Sequence, residues 1–574
     1  MANQYVNEVI YDGNTLISLK EDTAQPSDVL VGKRFHMADG SIAIGSLSSS
    51  STGCTLTVVG EAGDTVKITK EGEADKEQTL GEDGTTVFTD LSTGVWTITM
   101  SDETDSVSKD LNITTEYDIT LSYFTATIAV TYPVGSTCTV LKTGETEPTS
   151  APDTSGIWNC IVFSKGEYTF TCTNGADTTS EVVYAETNGQ STTLTLRYAK
   201  IYGIKRNINL ASTIWKRTDD SLNADGTEKE AEATNGTSAG HSDFDSCYPW
   251  NGIARSNSYT STGDWLVKIP KFWYQRKQEV EDGATWEYIR IADKPVEGFK
   301  LHPAFNHVGF EDADCIYVGA YKTSLVSSKH MSATGQPPKV SLKRSDFRTQ
   351  AKNKSTGDNG WSIIDIATLS AIQMLILVEF ANNNVQSLIG MGACSTGGSA
   401  AVKTGQTDSI TNLTGSKART TKTYQVVWRG IEDLWGNVWE WVDGVNWNGG
   451  IYSICNNPSA YADNVNSSSN ASYSELKSQG VTNWSSSFIT QESYEEGEFD
   501  WVMLPTAATS GSESTYYCDA CWSSTGWRVF GHGGGWGDGT HCGLFAAALN
   551  LASSGTSTIY GCRLIYIPSP TSTE

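Results

Sequence analysis

Sixteen of the eighteen tryptophans of this 574-residue chain lie after residue 200, and only Trp96 and Trp158 precede it. An indole can bury about 150–250 Å², so the placement of these rings says where large cores must form. The text between them is poor in helical periodicity and rich in loops such as NNPSAYADNVNSSSNAS. Such loops, when ordered, have to be held by large side chains. The C-terminal part is therefore expected to use aromatic packing where other domains use regular structure.

The stretch before residue 200 has a different grammar. Alternating Thr, Val, Ile and aromatic residues separated by Gly and Asp turns give the period-two signal of half-buried strands. GVWTITM at Gly94 recurs as GEYTFTC at Gly166, 72 residues later, and the copies close on YDITLSY and STTLTLRY. A strand-built repeat of that length is the size of a small immunoglobulin-like sandwich. SLSSSSTG, from Ser46 to Gly53, reads as a flexible linker. The expected division is residues 1–50 as an N-terminal segment with the Ser-rich linker, 51–124 and 125–200 as the two repeats, and 203–574 as the tryptophan-rich domain. The fold class is multidomain and mainly β, the last domain being α+β. One helix is expected from about Asp365 to Asn382, with Ile366, Leu369, Ile372, Gln373 and Ile376 at helical spacing behind an Asp cap.

Composition narrows the partners. A net charge of −26 argues against nucleic acid, whose phosphates would be repelled. The most apolar run, Ile363 to Phe380, is interrupted by Asp365, Gln373 and Glu379 and is too short and polar to span a bilayer, so no membrane insertion is expected. The start, MANQYVNEVIYDG, has neither the basic nor the apolar region of a secretory signal. Twelve scattered cysteines fall short of a disulfide scaffold and suit thiols folded in a cytoplasm.

Near the C-terminus the chain reads WRVFGHGGGWGDGTHCGLF, Trp527 to Phe545. A phosphate cradle needs such glycines between a strand and a helix N-terminus, usually with a lysine. No lysine follows Lys477, and GLFAAALNLASS tends toward strand or loop. For a metal, Cys518 and Cys521 form CDAC, with His532, His541 and Cys542 nearby. A lone CxxC is a weak signal, and YYCDACW equally suits a strand with inward cysteines. No cofactor and no metal is expected, and glycines in plain tight turns stay open as an alternative.

IEDLWGNVWEWVDG, Ile431 to Gly444, resembles the Gly-Asn-Val-Trp-Glu-Trp signature of the formylglycine-generating enzyme (sulfatase-modifying factor) family, whose fold is a variant of the C-type lectin fold. FDSCYPWNGIARS, LVKIPKFWY, GFKLHPAF and CIYVGAY resemble proteins of tailed bacteriophages. The segment from Gly526 to Pro568 resembles the variable region of diversity-generating retroelement target proteins. Together the resemblance covers about residues 205 to 568. The enzymes of the first family rely on a pair of cysteines after a Gly-Gly-Ser-Trp-like segment. Here Gly537 and Asp538 follow Trp536, and Cys542 is the sole candidate, so the enzymatic residues do not carry over and no catalytic residue is expected. Glu440 reads as a buried, ion-paired carboxylate rather than a general acid.

The resemblance implies a receptor-binding protein of a phage tail, residing in the virion, whose C-terminal surface is diversified. It implies that Trp527, Gly534, Trp536, Gly539, Gly543, Leu544, Phe545, Leu549, Gly561 and Arg563 form the scaffold. His532, Gly535, Gly537, Asp538, His541, Ala546, Ala548, Asn550 and Leu551 are the implied display positions. The implied partners are a host cell-surface protein or glycan, other tail proteins through the N-terminus, and two further copies in a homotrimer. An enzyme or pseudoenzyme of the formylglycine-generating class and a bacterial surface adhesin are the alternatives.

Overall fold

The 72-residue offset reappears as two sandwiches with the same strand order. The structure, a computed structural model, describes residues 8–11, 14–18, 25–29, 33–37 and 41–46, and then 53–569 apart from 61, 103–105, 123, 176, 355–359, 399 and 481. In the first sandwich Tyr117–Thr120, Cys54–Val59 and Thr85–Leu91 form one sheet, and Ser106–Ile113, Gly94–Ser101, Thr65–Thr69 and Lys76–Thr79 the other. In the second, Gln190–Thr195, Ala126–Thr131 and Ile157–Val162 stand against Asp177–Ala185, Gly166–Asn174, Thr137–Lys142 and Thr149–Ser150. In each the last strand runs parallel to the first, placing Tyr117 opposite Leu56 and Gln190 opposite Ala126. Even the polar anchors repeat. Trp96 Nε1 donates to the Ser92 carbonyl at 2.9 Å, and 72 residues on Tyr168 Oη donates to the Ser164 carbonyl at 2.8 Å. Alternation supplies each core: Leu56, Val58, Trp96 and Ile98 in the first, Ile128, Phe170 and Cys172 in the second.

The chain is mainly β and multidomain, and it divides into two compact units, Met1–Tyr198 and Ala199–Glu574. Most of the linker expected at Ser46–Gly53, and Tyr123 at the close of the first repeat, fall outside the described residues. The C-terminal unit begins earlier than the expected residue 203. Strand Ile201–Asn207 pairs with Ala284–Ala292, and Tyr202 is buried with its ring 5.3 Å from that of Trp250. A start at 203 would cut this strand.

Helix α1 spans Arg344–Lys352 and helix α2 Ile366–Phe380. Asp365 caps α2, accepting from Thr368 N at 2.8 Å. All its residues are buried, because sheets and loops surround it on every side, as for a helix apolar all round. Polar members find partners inside: Glu379 accepts from Trp428 Nε1 at 2.8 Å and Arg429 Nη2 at 2.7 Å, and Gln373 Nε2 donates to the Leu544 carbonyl at 3.0 Å, while Gln373 Oε1 and Thr368 Oγ1 have none among the described residues. Among the described residues no helix is long and apolar enough to cross a membrane.

Three larger sheets complete the unit. The one that carries the C-terminal segment runs, in spatial order, Ser474–Glu475, Ile451–Ile454, Trp439–Asn448, Trp527–His532, Ala547–Leu549, Ala520–Ser523 and Ser487–Phe488, with Tyr560–Gly561 beside Trp439. Eight tryptophans are buried in this unit at 3% exposure or less around the strand Trp439–Asn448 and helix α2: Trp215, Trp250, Trp428, Trp435, Trp439, Trp441, Trp447 and Trp501.

Candidate functional site

The WEW triplet sets the floor of the site. In a strand, residues two apart share a face, so Trp439 and Trp441 stand on one side of the sheet and Glu440 on the other. Both indoles stack on Tyr560, Trp441 at 4.3 Å between ring centroids and 24° and Trp439 at 5.8 Å and 14°. Gly531 lies opposite Trp441, and a Cβ there would come within 2.7 Å of the Tyr560 ring. That close approach is the reason for glycine at this position.

Glu440, on the other face, is fully buried in a cationic cluster. It accepts from Lys322 Nζ at 3.0 Å and from Arg563 Nε at 2.9 Å and Nη2 at 2.6 Å. Burial opposes its ionisation, and the Arg563 and Lys322 cations outweigh that, holding the carboxyl below its ordinary range. Arg563 also donates to the carbonyls of Gly319 and Glu432, at 2.7 and 2.6 Å, and so ties three strands together.

The glycine-rich loop is fastened to this platform. Trp536 N donates to the Asn437 carbonyl at 2.8 Å, Gly539 N to the Cys394 carbonyl at 2.8 Å, and Gly533 N to the Ala546 carbonyl at 3.0 Å. Asp538 organises its tip: Oδ2 accepts from Gly535 N at 2.7 Å and from Trp439 Nε1 at 2.8 Å. Gly534, at φ +89°, has Cys542 Sγ 2.5 Å from where a Cβ would sit. Most of the run therefore packs. Gly537 alone of the group from Gly533 to Gly537 is exposed with open space around it.

Above the platform lies a cleft of about 200 Å³. Trp439, Trp522 and Tyr560 make its aromatic walls, Trp522 standing edge-on to Trp439 at 5.3 Å and 84°. Asp538, Asn550 and Ser557 supply the polar rim, and Ala548, Leu551 and Ile559 the aliphatic remainder. His541, half-buried, backs the Trp522 wall with its ring 5.8 Å away and 5.1 Å from Phe488.

The implied display set thus separates. Asp538, Asn550 and Leu551 reach the cleft, with His541 behind one wall and Gly537 exposed at the loop tip. Four positions need correction. His532 is buried, its Nε2 2.7 Å from the Leu544 carbonyl, and burial pushes its imidazole down to about 4. Gly535 is buried under the Asp538 carboxylate, and Ala546 is fully enclosed because it opposes the sheet interior. Ala548 is 2% exposed and contributes only to the cleft floor. Of the implied scaffold, Gly534, Gly543, Leu544, Phe545, Leu549, Gly561 and Arg563 are buried, whereas Trp527, Trp536 and Gly539 are only partly covered. The walls Trp439, Trp522 and Tyr560 were missing from the display set. The W-x-W spacing was the available signal for Trp439, and nothing local marks Trp522 or Tyr560, which arrive from other strands.

One thiol has a neighbour that the sequence did not suggest. Cys542 Sγ donates to the Gly535 carbonyl at 3.3 Å and neighbours the Cys394 thiol, rather than a cysteine near it in sequence. Burial and that neighbour hold Cys542 well above the ordinary thiol range, so it is kept as a thiol rather than a nucleophilic thiolate. Cys518 and Cys521 are buried, and burial raises both.

No family model matches the chain, and no curated protein does. Solved structures give low-identity likenesses. The Major Tropism Determinant P3c variant is 13% identical over 71% of this chain and 82% of its own, at a TM-score of 0.18, and the U1 variant is 13% identical over 70% and 81%, also at 0.18. The Bacillus anthracis TIE protein is 11% identical over 29% of this chain, with 41% of its own length spanned, at 0.13. TM-scores this low carry no argument about this chain.

Proposed function

We propose that the chain is a receptor-binding protein of a bacteriophage tail, with two immunoglobulin-like spacers and a C-type-lectin-like tip that binds a host-surface ligand without catalysing a reaction. One observation carries the reading: residues from the diversified-type segment, exposed Asn550 and half-buried Asp538 and Leu551, gather round a single aromatic cleft, on a platform locked by buried Glu440 and Arg563. Attachment to other tail proteins through the N-terminus and assembly as a homotrimer belong to the same proposal. Several tips engaging at once would raise avidity well beyond one cleft.

The test is competition. Purified chain should block adsorption of the encoding phage to its host, and a folded chain carrying Leu551→Glu, which puts a charge on the aliphatic side of the cleft, should not. Equal blocking by both chains refutes the assignment of the site. Proximity of Cys394 to Cys542 favours a second reading, an oxidase of the formylglycine-generating class. Oxidation of a cysteine peptide that is abolished by Cys542→Ser would support that reading and remove the binder-only one.

A further inference from the structure

The chemistry of the cleft narrows the ligand, and this step rests on the receptor-binding reading above. At about 200 Å³ the cleft is smaller than the roughly 300–1,000 Å³ of sites for drug-sized ligands, and suits one side chain rather than an oligomer. Trp522 and Trp439 meet at 84°, an aromatic corner, with Tyr560 parallel to Trp439. Electron-rich ring faces attract cations, and tryptophan is the strongest of them. The only ionisable side chains on the walls are Asp538 and the phenol of Tyr560, and no lining residue carries positive charge. Among the described residues both hydrogen bonds to the Asp538 carboxylate fall on Oδ2, one of them from the Trp439 indole, so the carboxylate is held at the edge of that ring with Oδ1 left for a ligand.

We infer that the cleft takes an arginine side chain projecting from a host-surface protein, its guanidinium on the half-exposed Trp522 side of the aromatic corner and an N–H donated to Asp538 Oδ1. A planar guanidinium satisfies both demands together, stacking on a ring and donating in its own plane. The acidity of the whole chain, −26, favours the approach of such a basic partner.

The test uses the full chain and a minimal probe, N-acetyl-arginine amide, followed through the indole N–H resonances of Trp439 and Trp522. Saturable shifts of both are expected, with a Kd near 1 mM, the scale for a single side chain. N-acetyl-lysine amide should bind more weakly. Asp538→Asn keeps an oxygen for Gly535 and Trp439 and removes the charge, and should weaken the probe about tenfold. The proposal is overturned if the arginine probe shifts neither indole, if Asp538→Asn binds it equally well, or if a methyl glycoside titrates the same indoles in its place. Host adsorption separates the two levels. Adsorption lost in Leu551→Glu without arginine binding in the parent removes the cation assignment alone. Arginine binding with adsorption indifferent to Leu551→Glu removes the receptor reading alone.

Discussion

Replacing Asp538 with alanine tests how the cleft is built. From sequence this position reads as free surface, where a substitution costs about 0.5 kcal/mol or less. The structure gives it two donors to hold, the Gly535 amide at 2.7 Å and the Trp439 indole at 2.8 Å. Gly535 and Trp439 are both buried, so neither donor regains full hydration when the carboxylate is removed. A buried donor left without its partner costs about 1–3 kcal/mol, and partial solvent access to Asp538 argues for the lower half of that range at each site. The expected loss is about 2–4 kcal/mol in all. With an unfolding entropy of about 2.1 cal/mol/K per residue, a unit of this length should melt about 3–5 °C lower. Asp538→Asn, which retains an acceptor oxygen, should recover most of the loss. Differential scanning calorimetry on the three proteins decides the matter: a melting temperature of the alanine variant within 1 °C of the parent would show that the carboxylate does not organise the loop.

Other expectations follow from the same contacts. Arg563→Ala leaves Glu440 and Lys322 in a broken buried cluster and should cost about 3–5 kcal/mol, measured by denaturant unfolding. Trp441→Ala, at a fully buried position stacked on Tyr560, should cost a similar 3–5 kcal/mol, whereas Trp536→Ala, half-covered, should cost about half as much. His532 is held neutral with its pKa lowered to about 4 from 6.5; its contribution is therefore present above pH 6.5 and lost as pH falls toward 4. Relative to His532→Gln, the parent should lose melting temperature across that window. Glu492 has the opposite sign: burial raises its carboxyl well above 4.5, and neither oxygen has a partner among the described residues. Relative to Glu492→Gln, the parent should lose stability as pH rises from 4.5, and a flat difference would refute the assignment. A fragment starting at residue 199 should melt like the same unit in the full chain, and one starting at 203 should melt lower, because it lacks Ile201 and Tyr202 of the first strand.

The sequence by itself determined what depends on local pattern. Period-two alternation and a 72-residue self-similarity specify two strand-built modules, because each strand's faces are encoded in neighbouring residues. Asp365 before an apolar run specifies where α2 starts, since the cap acts within one turn. W-x-W places two indoles on one strand face for the same reason. What the tertiary structure alone decided is which small residues are walls and which are surface. Gly531, Gly535 and Ala546 look like loop text, and are small because Tyr560, Asp538 and the sheet interior occupy the space a side chain would need. The cleft joins Trp439, Trp522, Asp538 and Tyr560 from four separated segments. Cys542 finds Cys394 about 150 residues away along the chain rather than Cys518 or Cys521. Contacts of that kind are set by how sheets and loops close on one another, and no pattern within a short window encodes them.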